Sequence, residues 1–498
     1  MFEAMGSAAG HLLVPVNIAY IFLGAFIGLL FGILPGLGGV IALALALPFS
    51  FGMKPHSAML FFSAVMGSVA FGGSVTAILL NTPGTAQNAA TTLDGYPMAQ
   101  QGQANKALGI SATSCGLGAI FGLIVLILLL PIVRRIVLMF GPPEFFWLII
   151  FGLVTVAMAA RGSFLKGLTA GGIGILLSLI GFSDVFGVLR FSFGSKYYLW
   201  DGVELISLVI GLFALSEVMN YYIKGGTIAS KEAGRGGRVI DGVKEVFRHK
   251  KCFFRSSAIG TIVGIIPGVG GTVANFIAYV IAKERSRNPE TFGTGNPEGI
   301  IAAEASNDAK DGGALLPTVG FGIPGSAECA VLLGGFILHG LVPGPLLIRD
   351  HLDIVFILIF GLLFSNIIAS TLGLLAANLL VKVTFVNVRY IAPIVVVLCF
   401  VGAYAVRENF WDVVAAIFFG IVGYGMIKFG FPIVCLVIGY ILGVMAETTF
   451  HQSLMIASGS YKIFFYRPIS LILMAILLAI IAFPIVRALK KGKDNEKK

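Results

Sequence analysis

The residues Gly32-Ile33-Leu34-Pro35-Gly36-Leu37-Gly38-Gly39 recur as Gly264-Ile265-Ile266-Pro267-Gly268-Val269-Gly270-Gly271. A second Pro-Gly element follows each copy: Asn81-Thr82-Pro83-Gly84-Thr85-Ala86 and Gly322-Ile323-Pro324-Gly325-Ser326-Ala327. All four lie beside apolar segments. Proline removes a backbone donor and glycine loosens a helix, so each element should interrupt one. Inside a bilayer, a broken helix is tolerated only where protein or a wet cavity receives the freed backbone groups. Gly/Pro-interrupted apolar segments at corresponding places in two halves point to the binding region of a membrane carrier. Pro35 and Pro83 are 48 residues apart and Pro267 and Pro324 are 57 apart. The polar stretch 283–307 is expected to hold the additional residues.

Composition places the chain in a membrane. Of 498 residues, 57% are hydrophobic and 12% charged, about half the charged share of a soluble domain. Mean hydropathy is +0.96. Runs such as 109–132, 354–381 and 469–486 approach or exceed the roughly 20 residues that cross a bilayer. The 65 glycines suit close helix packing in lipid. The net charge of +10 comes from basic residues at segment ends, as the positive-inside rule produces, and no nucleic-acid partner is expected. The five cysteines form no CxxC pair and the six histidines no HExxH, so free thiols are expected, and neither a disulfide framework nor a metal centre. Only Glu3 is charged before Lys54, so the first apolar segment lacks the positive start of a signal peptide and should be retained.

The fold class expected is an all-α polytopic membrane protein. Two inverted-topology repeats with Gly/Pro-broken re-entrant hairpins should supply roughly 10–12 transmembrane helices. The first repeat occupies 1–223, with spans near 18–47 (broken at Pro35-Gly36), 58–80, 109–132, 145–160, 167–180 and 206–223. A basic connector, 224–256, carries nine Lys/Arg against three acids. The second repeat, 257–466, has spans near 257–282 (broken at Pro267-Gly268), 314–338, 354–381, 391–406, 413–427 and 431–445. An extra helix and a basic tail make up 467–498. Connector and tail should be cytoplasmic and the N-terminus, poor in Lys and Arg, outside. The first half then crosses an odd number of times, which inverts the second relative to it.

Around the hairpins, Gly72-Gly73-Ser74 precedes Asn81–Thr85, and Asn307 to Gly313 precedes Gly322–Ser326. The expected substrate-binding residues are Pro35, Gly36, Asn81, Thr82, Pro83, Gly84, Thr85, Pro267, Gly268, Gly322, Ile323, Pro324, Gly325 and Ser326. Helix N-termini at these tips would offer unpaired N–H groups and a partial positive charge to an anion. Thr85 and Ser326 either donate hydroxyls or cap the following helix. Asn81, Thr82, Asn88, Asn307 and Asp308 offer side-chain oxygens to a cation. Asp94, Glu304, Glu328 and Glu447 are acids near apolar stretches, and an intramembrane acid is a functional candidate; an interfacial or loop position would also explain each. Lys106, Arg134, Arg135, Arg161 and Lys166 flank apolar runs and should snorkel, while Trp147, Trp200 and Trp411 suit interfacial anchoring. No GxxxxGK[ST] phosphate loop is present, so an ion gradient or a separate ATPase must supply energy, and the repeat favours the gradient. A channel would need charge rings or carbonyl filters, and an intramembrane enzyme a nucleophile or paired-aspartate motif; neither pattern stands out.

This motif set resembles the large membrane subunit of the tripartite tricarboxylate transporters, the TctA family. The carrying residues are Gly32–Gly39, Gly72-Gly73-Ser74 through Gly84, Leu93-Asp94-Gly95-Tyr96-Pro97-Met98-Ala99, Gly102 and Lys106-Ala107-Leu108-Gly109. To these add Gly264–Gly271, Glu304-Ala305, Asn307, Gly312-Gly313, Gly322–Ser326 and Gly340-Leu341-Val342-Pro343-Gly344-Pro345. The similarity covers essentially the whole chain. It departs from the family pattern at Asp308, Lys310 and Asp311, three charges where small residues are commoner. The resemblance implies import of organic carboxylates of the tricarboxylate or dicarboxylate class, with Na+ or H+ as coupling ion and no other cofactor. It implies a small four-helix membrane partner (TctB-like) and a periplasmic solute-binding protein (TctC-like), in the bacterial inner membrane. With no nucleophile, paired-aspartate or HExxH motif, no enzymatic activity is expected.

Overall fold

Prolines set where the helices start and stop. In the computed structural model, which describes residues 1–159, 164–183, 185–195, 197–224, 236–384 and 388–479, the helices Pro15–Ile33, Pro55–Leu80 and Pro297–Phe321 each begin at a proline. The missing N–H costs nothing there. The helix Pro15–Ile33 ends just before Pro35, and Gly38–Phe49 resumes the chain after it. Lys250–Ile265 and Gly270–Arg285 repeat the arrangement around Pro267. Gly36 (φ 85°) and Gly268 (φ 78°) take the left-handed backbone at the two breaks, which glycine adopts without a Cβ clash. Both expected breaks are therefore present.

Six helices among the described residues are long and apolar enough to cross a membrane: Pro15–Ile33, Pro55–Leu80, Thr92–Val137, Leu352–Ala376, Phe410–Phe429 and Ile433–Ile456. Thr92–Val137 bends at Gly102 (φ 76°), after which Ala104–Val137 runs on as one helix. Shorter apolar helices, among them Gly38–Phe49, Pro142–Met158, Phe164–Ser178, Leu205–Asn220 and Ala327–Leu338, accompany them. One hairpin, Gly181–Ser183 with Val188–Arg190, interrupts the helices. The chain is an all-α polytopic membrane protein.

One expected span is corrected. Instead of starting near residue 314, the helix starts at Pro297 and ends at Phe321, and Ala327–Leu338 is a separate helix beyond the Pro324-Gly325 turn. Residues Asn307 to Asp311 read as loop because they are polar, yet they lie inside the helix, buried among its neighbours. The additional residues of the second half lie before that helix. Gly270–Arg285 is longer than Gly38–Phe49 by one turn, and a longer loop follows it. Connector residues 225–235 and tail residues 480–498 fall outside the described residues.

The chain divides into two compact units, and each takes residues from both halves of the sequence. The larger holds Met1–Arg134 and Glu204–Phe429, and with them both broken helix pairs. There Gly28 and Gly32 lie against Pro55–Leu80 so closely that an added Cβ would come within 2.2 Å of Val65 O and 2.3 Å of Val69 O. Gly260 and Gly264 meet Ser306 O and Lys310 O in the same way, at 2.3 and 2.4 Å. Both glycine pairs stand seven and three residues before the proline of their break, and Val65 and Val69 precede Pro83 by the same spacings as Ser306 and Lys310 precede Pro324. The duplication is thus one of packing as well as of motif.

The smaller unit holds Arg135–Val203 and Gly430–Lys498. Two of its acids, Glu447 and Glu144, are paired. Arg190 donates to both oxygens of Glu447, at 2.6 and 2.9 Å, which accounts for Glu447 structurally. Glu144 is fully buried and accepts from Gly141 N–H and Ser470 Oγ at 2.9 Å and from Arg467 Nε at 3.0 Å. Trp147 donates to Phe464 O at 2.9 Å.

Candidate functional site at the meeting of the broken helices

The first Pro-Gly turn touches the second within the first half. Gly36 N–H donates to Gly84 O at 3.1 Å, and Gly84 N–H to Gly73 O at 3.3 Å. An added Cβ on Gly84 would lie 2.0 Å from Gly32 O, so glycine is required where the two backbones cross. In the second half Gly325 packs its backbone on Ala314, and its N–H donates to Thr318 Oγ1 at 3.1 Å. Asn81 (φ 54°) and Gly322 (φ 70°), each two residues before the hairpin proline, terminate their helices in the left-handed conformation.

The halves then meet each other. Gln87 and Glu328 occupy the same place, four residues beyond Pro83 and Pro324, and Gln87 Nε2 donates to Glu328 Oε1 at 2.8 Å. Gly39, four residues after Pro35, faces Glu328: an added Cβ would sit 3.2 Å from its Cγ, and 3.4 Å from Val69 Cγ1. Gly271, four residues after Pro267, faces Gln87 Oε1 at 2.9 Å and Lys310 Cε at 2.4 Å by the same construction. Val69 and Lys310 correspond in the repeat, as do Gln87 and Glu328, so each half presents the same surface to the other. Asn275 reinforces the contact, with Nδ2 donating to Gln87 O at 2.9 Å and Oδ1 accepting from Ser306 Oγ at 2.7 Å.

The expected site residues divide by environment. Pro35, Pro267, Gly84, Thr85 and Gly322 to Ser326 are buried around this junction, Gly36 and Asn81 are exposed, and Thr82, Pro83 and Gly268 are half-buried. Ser326 caps its helix, its Oγ accepting from Cys329 N–H at 3.2 Å. Thr85 instead donates to Asn88 Oδ1 at 2.6 Å. Only the second hairpin leads into a full helix, Ala327–Leu338. The first leads into one 3-10 turn, Ala86–Ala89, too short for a helix dipole. The expectation of a helix N-terminus at each hairpin tip is corrected to the second hairpin alone; Gly38–Phe49 and Gly270–Arg285 begin after the other two breaks.

Among the expected cation residues, Asn88 is committed to structure. Its Nδ2 donates to Ala70 O at 3.1 Å and Ser74 Oγ at 2.8 Å while its Oδ1 takes the Thr85 hydroxyl. Thr82 Oγ1 donates to Leu80 O at 3.2 Å, and Asn81 lies apart on the surface. Asn307 and Asp308 are buried with no hydrogen-bond partner for either side chain. Asp94 is a structural clasp. Its Oδ1 accepts N–H groups of Gly293, Gly295 and Asn296 at 2.8–2.9 Å, and its Oδ2 the Tyr279 hydroxyl at 2.7 Å.

Sequence reasoning missed Gln87 and the buried ion pair of Lys310 with Asp311. Equal spacing from the two prolines is the signal that identifies Gln87 with Glu328. The pairing of Lys310 with its neighbour, and the placing of its stem under Gly271, had no such signal. Together the junction offers an amide, an ammonium and carboxylates between two glycine-lined backbones. That set suits an anionic small molecule held beside a cation.

Residues 18–438 match the tripartite tricarboxylate transporter TctA family. The chain belongs to that family. TctA is the large-subunit family of multi-component transporters, which fits the helical membrane fold. The chain is 32% identical to an uncharacterized 52.8 kDa protein in the TAR-I ttuC' 3'region of Agrobacterium vitis, over 97% of this chain and 96% of that one. It is 30% identical to an uncharacterized protein in the TAR-II ttuC' 3'region of the same organism, over 47% of this chain and 98% of that one. No solved structure matches. For this TctA-family chain the junction of Gln87, Glu328, Gly39 and Gly271 is the candidate site.

Proposed function

We propose that this protein is the large transmembrane subunit of a binding-protein-dependent secondary active transporter importing organic carboxylates of the tricarboxylate or dicarboxylate class. A cation gradient, of Na+ or H+, drives it. The observation that carries the reading is the Gln87–Glu328 contact, where two Gly/Pro-broken hairpins meet across glycines. Backbone N–H groups in the first turn of Ala327–Leu338 and the Gln87 amide would receive carboxylate oxygens. The repeats are inverted in the membrane, the N-terminus periplasmic and the C-terminus cytoplasmic in a bacterial inner membrane. Access alternates by an elevator-type movement. Cargo and cation must bind its two end states unequally, since equal affinity shifts nothing. A periplasmic solute-binding protein delivers the carboxylate, and a small four-helix membrane subunit completes the complex.

The test is uptake of labelled organic acids by the reconstituted three-component complex. Gln87→Ala should lower uptake at least tenfold at subsaturating cargo while assembly and expression persist; unchanged uptake refutes the site. Counterflow of labelled against unlabelled cargo separates a carrier from a pore. A valine at Gly84 is a poor probe, because its Cβ would already strike Gly32 O.

A further inference from the structure

Glu304 and Asp308 stand one turn apart on Pro297–Phe321, both fully buried, and their surroundings differ. Glu304 gathers donors. Ser74 Oγ (2.6 Å) and Cys115 Sγ (2.8 Å) donate to Oε2, and Thr91 Oγ1 to Oε1. Asp308 has none: neither of its oxygens finds a hydrogen-bond partner. Both amide atoms of Asn307, next to Asp308, are equally without a partner. Ser111, on Ala104–Val137 one turn before Cys115, lies beside Glu304. The donor atoms of Cys115, Glu304 and Asp308 all lie within 4.8 Å of one another. Among the described residues no Lys, Arg or His forms an ion pair with either acid, and Lys310 is committed to Asp311.

Three neutral donors can solvate one carboxylate. A second one beside it, buried and without donors, is untenable as a bare anion, because desolvation costs several kcal/mol per ion. A positive charge placed between the two resolves this. The oxygens available are hard ligands, suited to a hard cation. The Cys115 thiol donates a hydrogen bond to Glu304 and so keeps its proton, and its sulfur is not offered as the thiolate a soft metal prefers. We propose that Asp308 and Glu304, flanked by Asn307 and Ser111, bind a monovalent cation, sodium, and that this is the ion whose entry drives the movement of cargo. The coupling role rests on the transporter reading above; the binding itself does not. At the corresponding positions of the first half stand Gly67 and Ser63, so the duplication has not doubled the site and the expected stoichiometry is one sodium per chain.

The experiment is binding of radioactive sodium to the purified full-length protein in nanodiscs, with no carboxylate and no partner subunit present. Wild type should bind saturably, one ion per chain, with lithium competing better than potassium. Asp308→Asn should raise the Kd at least tenfold. Glu304→Gln, which keeps the side chain's shape and an acceptor for two of its three donors, should do the same and serves if the first variant fails to fold; melting in choline chloride checks each fold. Absent saturable binding in wild type, or wild-type affinity in the folded variants, overturns the proposal. Carboxylate uptake by the complex is measured alongside. Sodium binding without uptake refutes the transporter reading and leaves the site standing, whereas uptake without sodium binding refutes the site alone.

Discussion

Asp94 shows how far a residue's role depends on partners distant in sequence. Within Leu93-Asp94-Gly95-Tyr96-Pro97 it reads as a candidate functional acid near an apolar stretch. Its partners are three backbone N–H groups of residues 293–296 and the Tyr279 hydroxyl, and no local pattern announces them. Hydrogen bonds to a charged group contribute about 1.5–3 kcal/mol each. Tyr279→Phe is therefore expected to lower stability by about 2 kcal/mol, and Asp94→Ala by more, since it strands three backbone N–H groups and the Tyr279 hydroxyl. Chemical or thermal melts in detergent read both. Glu447, equally suspect from sequence, is held by Arg190. For Gln87 the outcome reverses: an unremarked residue in the sequence stands at the junction. A double-mutant cycle of Gln87→Ala with Glu328→Ala should return a coupling of about 0.5–3 kcal/mol, as expected for residues in contact.

Helices are where the sequence was most legible. Proline and glycine act locally, so the breaks at Pro35 and Pro267 and the starts of helices at Pro15 and Pro55 follow from rules that need no tertiary context. The helix from Pro297 was less legible because Asn307, Asp308, Lys310 and Asp311 have the composition of a loop. Lys310 and Asp311 tolerate burial through each other, while the side chains of Asn307 and Asp308 are buried without a hydrogen-bond partner, and close backbone contacts pack the helix in on its neighbours. Those contacts make a sharp prediction. Gly264→Ala pushes a methyl toward Lys310 O, where a Cβ would lie 2.4 Å away, and should cost about 1–3 kcal/mol by overpacking. Gly116→Ala, in a helix with nothing within 4 Å of its Cβ, should be neutral or stabilising by up to about 1 kcal/mol through helix propensity. Pulse proteolysis of the two variants in nanodiscs distinguishes them.

At the scale of the whole molecule, composition identified the membrane class and the duplicated motifs identified which helices are equivalent. The contacts made across the junction, Gly39 to Glu328 and Gly271 to Gln87, required coordinates. Orientation has its own test. All five cysteines are buried, so a single exposed reporter can be read against a quiet background. A cysteine at Lys244 should react with a membrane-impermeant maleimide only in inside-out vesicles, and one at Ser7 only in right-side-out vesicles; the opposite labelling refutes the proposed orientation.

The loop that clasps Asp94 belongs to the longer second half, and the place in that half matching Asp94 is held by Gly335. A perfect duplicate would work like a balanced seesaw. Here one arm carries a latch and the other does not, so the two halves are not interchangeable, and a change in one surface loop can alter one half while the glycine-packed interior stays as it is.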